Sequence, residues 1–272
     1  RRFWNWLIGR GVVDVSPCAG IPRPAAERTR DRVLTWDELA AVWRASGEQG
    51  APFGTLFQML ILTAQRREEV TGLARRELDT DQAVWTIPAA RAKNGKEHHV
   101  PLSAPVLDLI ASIKSIGNKG WLFTTTGETP VSGHSKAKAR LDKALAFDDG
   151  AQWTLHDLRR TAATGMAELG ENPATIEAIL NHVSGTRSGV AGIYNRYDLA
   201  EEKRQAMTAW GRFLTDIVLH DKRRAAYAKL QDRRGLRAAV HADDEGWATY
   251  LATLDGGDGS VVRLATAEGV AA

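Results

Sequence analysis

The chain has 272 residues, 43% hydrophobic and 25% charged, and its 36 basic residues nearly cancel against 33 acidic ones to leave a formal net charge of +3. That is room for one large domain or two small ones, and a balance that permits nucleic-acid binding without arguing for it, so an anion-binding function must rest on local clustering. A single cysteine, Cys18, excludes an internal disulfide framework, and no run is apolar and long enough to span a membrane or serve as a signal peptide, so a soluble intracellular protein is expected.

Arg1 to Val13 reads as the end of a helix, with Phe3, Trp4 and Leu7 on one side. Because the first residue is Arg rather than Met, the chain is expected to begin inside a longer protein. Pro17, Gly20, Pro22 and Pro24 precede a charged run, Glu27-Arg28-Thr29-Arg30-Asp31-Arg32, and this composition marks a linker. The next apolar pattern begins near Val33. Thr35 and Glu38 form a capping box for a helix whose apolar face is Leu39, Val42 and Trp43. Phe53 to Thr63 predicts a buried helix, and Arg66 to Leu73 a short one.

From Ala83 the period changes. Val84-Trp85-Thr86-Ile87-Pro88 and His98-His99-Val100-Pro101-Leu102 read as two strands, and Asn94-Gly95 between them is a turn pair. Lys93 lies at the tip of that hairpin. Val106 to Ile116, Ser135 to Phe147 and Leu155 to Leu169 predict helices, the last closed by Gly170. Asn172-Pro173 is an N-cap followed by proline at the first helical position, opening a helix to about His182. Ser184 to Gly189 reads as a flexible loop, with Tyr194 just beyond it, and Glu201 to Leu219 as a further helix. Basic residues from Lys222 to Arg237 punctuate a helical stretch, Gly256-Gly257-Asp258-Gly259 is a linker, and Val261 to Leu264 fits a short strand. The expected fold is mainly α with a small antiparallel β-sheet, an α+β arrangement.

Chemistry enters through spacing. His156 and Arg159 are three apart on a predicted helix and project from one face, and Arg66 and Glu69 share that spacing, so the carboxylate can orient the guanidinium. Two guanidinium forks around a phosphodiester would neutralise its non-bridging oxygens in a pentacoordinate transition state. Losing one such donor typically costs ~3–4 kcal/mol of barrier. A free tyrosine, with a pKa of about 10, is only ~0.1% ionised at pH 7, so a nucleophilic tyrosine needs nearby cations and a proton acceptor such as His156. A lysine on a hairpin can protonate the leaving sugar oxygen. Taken singly, each residue reads as readily as a surface or packed side chain. A zinc site from His98, His99, His156 and His182 lacks partner cysteines and ligand spacing.

Five segments together resemble the tyrosine recombinase, or phage integrase, family. Leu62-Thr63-Ala64-Gln65-Arg66-Arg67-Glu68-Glu69-Val70 resembles its first arginine motif, and Ile87-Pro88 through Lys93-Asn94-Gly95 to Val100-Pro101-Leu102 its catalytic-lysine hairpin. Thr154-Leu155-His156-Asp157-Leu158-Arg159-Arg160-Thr161 is similar to its His-x-x-Arg motif, Ile179-Leu180-Asn181-His182 to its third box, and Val190 to Arg196 to its nucleophile segment. The Leu-Asn-His and Tyr-Asn-Arg forms look most like prophage and genomic-island integrases.

That resemblance implies a set of roles. Arg66, Arg159 and His182 would bind the scissile phosphate, Lys93 would be the general acid, His156 would assist proton transfer, and Tyr194 would be the nucleophile, with Tyr197 its competitor three residues on. Glu69 would support Arg66. No cofactor or metal is implied. The implied domains are residues 1–27, a remnant of a helical core-binding domain with linker, residues 28–220, the catalytic domain, and residues 221–272, a helical tail with a short strand. The amino-terminal arm-binding domain and most of the core-binding domain would be missing. The implied partner is double-stranded DNA at attachment sites, bound by a homotetramer, with room for an excisionase and DNA-bending accessory proteins and no membrane association. The implied setting is the bacterial cytoplasm, at the nucleoid. The family usually has Gly where Ala64 stands. A type IB topoisomerase would use the same chemistry without strand exchange, and a catalytically inactive DNA-binding relic is the other alternative.

Overall fold

The structure, a computed structural model, describes residues 1–21, 31–147, 152–182, 199–230 and 233–256. It divides into two compact units, Arg1–Asp31 and Arg32–Ala272. The first unit contains helix α1 (Arg2–Gly9), on which Phe3 packs edge-on to Trp4 and stacks with Trp6. Phe3 and Trp6 are exposed.

The second unit is built around α3 (Phe53–Thr63), buried along nearly its whole length because its sequence is apolar on every side. Helix α2 (Trp36–Gln49) packs on it and starts at the expected capping box: Thr35 Oγ1 accepts the Glu38 N–H at 3.2 Å, and the Glu38 carboxylate accepts the Thr35 N–H at 2.8 Å. A short helix α4 (Arg67–Thr71) follows, then a 3₁₀ turn over Arg75–Glu77. The sheet has three strands, β1 (Leu78–Asp79), β2 (Val84–Ile87) and β3 (His98–Pro101), antiparallel in the order β1-β2-β3. The register of the expected hairpin pairs Val84 with Pro101 and Ile87 with His98. Strand β1 is too short to announce itself in the sequence, and only its pairing with β2 defines it.

Helices α5 (Ala104–Ser112) and α6 (His134–Leu145) follow, then α7 (Leu155–Glu168) and α8 (Pro173–Ile179). Helix α9 (Ala200–Arg212) continues into a π-helical turn over Phe213–Val218. Its Trp210 is fully buried and donates Nε1–H to the Ile61 carbonyl of α3 at 3.0 Å. Gly165 of α7 makes this possible, since a Cβ there would lie 2.4 Å from the Trp210 ring. Three more helices, α10 (Asp221–Ala228), α11 (Arg234–Val240) and α12 (Asp244–Asp255), pack on the same core through Tyr227, Leu236, Val240, Trp247, Tyr250 and Leu254. Trp247 Nε1 donates to Asp216 at 2.7 Å, tying α12 to the π turn. The architecture is therefore mainly helical with a small antiparallel sheet, as the sequence predicts. No helix among the described residues is long and apolar enough to cross a membrane. The expected loop at Ser184–Gly189 and strand at Val261–Leu264 lie outside the described residues.

Candidate active site

Two chain reversals prepare the site. Helix α3 ends at Ala64, which adopts the left-handed conformation at φ 54° and is fully buried. That turn leads through Gln65 to Arg66, whose backbone is extended and which precedes α4. Helix α8 ends in a Schellman motif, with the His182 N–H on the Glu177 carbonyl at 3.0 Å and the Asn181 N–H on the Ala178 carbonyl at 3.1 Å. Asn181 supplies the left-handed residue, at φ 48°. Helices leave their last carbonyls unpaired and partly negative, and here those groups become the seats of the site's basic side chains.

Arg159, on α7, is 4% exposed. Its Nη1 donates to the Ala64 carbonyl at 2.6 Å, and its Nη2 donates to the Leu180 carbonyl. One guanidinium thus joins the ends of α3 and α8. Burial, and then the positive charge of Arg66, lowers its pKa to about 10, so it remains a cation at neutral pH. Arg66 donates Nη2–H to the Asn181 carbonyl at 3.3 Å and Nη1–H to the Glu69 carboxylate at 3.3 Å. Glu69 is almost wholly buried and also accepts the backbone N–H of Arg66 at 3.2 Å and that of Lys93 at 3.3 Å. The support that the sequence assigns to Glu69 therefore reaches the lysine hairpin as well as the arginine.

His156 lies on α7 one turn before Arg159. The helix starts at a second capping box, in which Asp157 accepts the Thr154 N–H at 2.8 Å and the Thr154 hydroxyl at 2.9 Å. Burial, then Arg160 and Arg159, holds the His156 pKa below its ordinary value, so a neutral imidazole able to accept a proton prevails at pH 7. The charge of Lys93 acts on it in the same direction.

Arg66, Lys93, His156 and Arg159, which come from the start of α4, the hairpin and α7, line one cleft of about 850 Å³. His182 is not among the described residues that line it; its side chain is half-exposed at the end of α8, with Nδ1 3.3 Å from the Glu177 carboxylate. Tyr194 and its competitor Tyr197 lie outside the described residues. Among the described residues, no three His, Cys, Asp or Glu side chains are gathered as metal ligands.

Sequence reasoning missed several members of this site. Arg91 lines the cleft, donates Nε–H to buried Glu77 at 3.0 Å and Nη1–H to the Glu69 carbonyl at 3.1 Å. Glu77 also takes the Trp85 indole N–H at 3.1 Å. His98 is buried on β3 and lies 3.0 Å from the Ile179 carbonyl through Nε2, while Gln65 donates to the same carbonyl at 3.0 Å. Lys138 lies 3.8 Å from the centre of the Trp153 ring, and both line the cleft. Only the Thr-x-x-Asp spacing of the α7 cap was available as a local signal.

Residues 32–199 match the profile of the phage integrase family. Prophage integrase IntA of Escherichia coli K12 is 33% identical over 205 residues, covering 74% of this chain and 49% of that protein. Tyrosine recombinase XerC of Mycobacterium tuberculosis H37Ra is 26% identical over 199 residues, covering 68% of this chain and 66% of XerC. The chain thus spans about half the length of the one and just under two thirds of the other. Among solved structures, a lambda integrase tetramer bound to a Holliday junction superposes with a TM-score of 0.52 at 19% identity, over 67% of this chain and 56% of that one. A lambda integrase dimer bound to a COC' core site gives 0.51 at 18% identity, over 72% and 56%. At these identities the likeness is one of fold.

Proposed function

Because the chain belongs to the phage integrase family, we propose that it is a tyrosine-type site-specific DNA recombinase that cuts and rejoins DNA strands to integrate and excise a mobile element. The observation that carries this reading is the single cleft lined by Arg66, Lys93, His156 and Arg159. A phosphodiester seated there meets two guanidinium groups already held by helix-end carbonyls, so charge stabilisation requires little reorganisation. The phenol oxygen of Tyr194 attacks phosphorus while His156 accepts its proton. The bond from phosphorus to the 5′ oxygen breaks, and Lys93 protonates that oxygen as it leaves. A 3′-phosphotyrosine and a free 5′-hydroxyl result, and attack by a 5′-hydroxyl of a partner duplex reverses the step. The ester exchange conserves the energy of the bond, so no nucleotide hydrolysis is needed. His182, at the end of α8, would reach the phosphate when DNA is bound.

In this reading residues 28–220 form the catalytic domain, residues 1–27 the end of a core-binding domain, and residues 221–272 an appended tail. Strand exchange between two duplexes needs four nucleophiles, so a homotetramer on DNA is the working form. An excisionase and DNA-bending proteins would set direction, and the protein would work in the bacterial cytoplasm at the nucleoid. IntA and XerC, which are integrase and recombinase by name, support this over the topoisomerase alternative. The test is covalent trapping on a pool of nicked duplexes of randomised sequence, followed by strand exchange between the recovered duplexes. A denaturation-resistant adduct that is lost in Tyr194→Phe, with joined products from two duplexes, is expected. Trapping unchanged in Tyr194→Phe removes the nucleophile assignment and turns attention to Tyr197. Relaxation of supercoils without joined products would make the enzyme a topoisomerase.

A further inference from the structure

The tip of the lysine hairpin makes a contact that the reaction above leaves unused. Asn94 Nδ2 lies 2.5 Å from the Asn181 side-chain oxygen and 3.4 Å from the Asn181 carbonyl. Asn181 Nδ2 donates back to Asn94 Oδ1 at 3.4 Å. An Asn beside a glycine in a turn ordinarily hydrogen-bonds within its own loop, and Asn94 does so too, accepting the Lys96 N–H at 3.1 Å. Its other bonds reach a residue 87 positions away.

Asn181 is placed for this by its own backbone. It is the left-handed residue of the Schellman turn, a position that Asn and Gly tolerate and most side chains resist. The Asn181 carbonyl that faces Asn94 is also the acceptor for Arg66 Nη2 at 3.3 Å. A single residue at the end of α8 therefore touches the hairpin and the first arginine, and is followed in the chain by His182. On the other side, the Lys93 N–H is fixed to Glu69. The peptide that carries Lys93 is thus pinned on both flanks, by a buried carboxylate and by an amide pair.

We propose that the Asn94–Asn181 pair is a latch that positions Lys93 for proton delivery, so that the general acid comes into register only when the hairpin is docked on the α8 turn. Asn94 and Asn181 are positioning residues and need not touch DNA. The inference rests on the reading of Lys93 as the acid for the leaving 5′ oxygen.

Two variants of the full chain test it. Asn94→Ala removes the hairpin's half of the pair. Asn181→Gly removes the other amide and keeps a residue suited to the left-handed turn. By hydrogen exchange, both should speed exchange of the amides from Lys93 to Gly95 by ~10-fold or more, while α3 and α7 exchange as in the parent. On the randomised nicked pool, both should lose ~10–100-fold in covalent trapping, the scale of a misplaced general acid. In a matched pool whose leaving 5′ oxygen is replaced by sulfur, a group that departs without a proton, trapping should return to within about threefold of the parent. Lys93→Ala should show the same contrast between oxygen and sulfur. Unchanged hairpin exchange, or equal losses on the oxygen and sulfur pools, would overturn the latch. If the parent chain traps neither pool, the recombinase reading fails, and the exchange measurement still decides whether the amide pair holds the hairpin.

Discussion

The arginine floor of the cleft and the lysine hairpin at its rim are built on opposite plans. Arg159 is buried, and its guanidinium spans the carbonyl ends of α3 and α8, so its position is fixed by the packing of two helices against a third. Lys93 is carried on the segment between β2 and β3, and polar bonds at Glu69 and Asn181 fix that segment. Phosphate binding needs a preorganised field, and proton transfer needs a group that can approach and withdraw. The difference between the two regions suits the roles proposed for Arg159 and Lys93.

The largest effect is expected at the rigid half of the cleft. Arg159→Ala removes a cation proposed to hold the phosphate and leaves the Ala64 and Leu180 carbonyls without this donor. Covalent trapping should fall by ~10³-fold, equally for oxygen and sulfur leaving groups, and Arg159→Lys should recover little of it because an ammonium cannot span both carbonyls. Lys93→Ala should cost ~10²-fold or more with an oxygen leaving group and almost nothing with sulfur. If the two variants behaved alike on the two substrates, the division between floor and rim would be wrong.

A stability measurement probes the place where the rim strand meets α8. His98, on the rim strand β3, lies 3.0 Å from the Ile179 carbonyl of α8. Burial, then the charge of Lys203, lowers its pKa from 6.5 to about 4. The fold thus prefers the neutral imidazole, while the unfolded chain takes up a proton near pH 6.5. The contribution of His98 is complete above pH 6.5 and is lost as pH falls toward 4, amounting to about 3 kcal/mol across that window. Urea unfolding followed from pH 7 to 4 should show this acid limb, and His98→Gln should flatten it.

The smallest effect is expected at the reversal that launches Arg66. Ala64 holds a left-handed backbone that costs roughly 1–2 kcal/mol for a residue with a Cβ. Ala64→Gly relieves that strain but removes a buried methyl and loosens the unfolded chain, so thermal unfolding should shift by less than about 1 kcal/mol. Ala64→Val, β-branched in the same conformation, should lose clearly more.

The fold was largely legible where its signals are local. The Thr35–Glu38 box, the Asn172-Pro173 start and the alternation of β2 and β3 each specify their element within a few residues, and the helices of the second unit lie close to where periodicity puts them. Helix ends were less legible: the helix expected to reach His182 ends at Ile179, because Asn181 reverses the chain there. The helix expected from Glu201 to Leu219 becomes a π turn after Arg212, which periodicity cannot distinguish from a continued helix.

Within the site, family resemblance selected Arg66 over its neighbour Arg67, and the structure supplies a physical difference between them: Arg66 is tied to Glu69 and Asn181, whereas Arg67 pairs with exposed Glu68. Asn94 and Asn181 stand inside the family-like motifs and His98 in the rejected zinc set, but their contacts, like those of Arg91, were not legible because the partners lie 14 to 87 residues away.

The most direct test of the whole account is to map the trapped bond. The parent chain should be captured on a nicked duplex pool, digested, and the nucleotide-bearing peptide sequenced by mass spectrometry. A 3′-nucleotide on the Tyr194 phenol is expected, with the adduct lost when Arg159 is replaced by Ala. A nucleotide on Tyr197 or on any other side chain, or an adduct that forms equally well without Arg159, would contradict it.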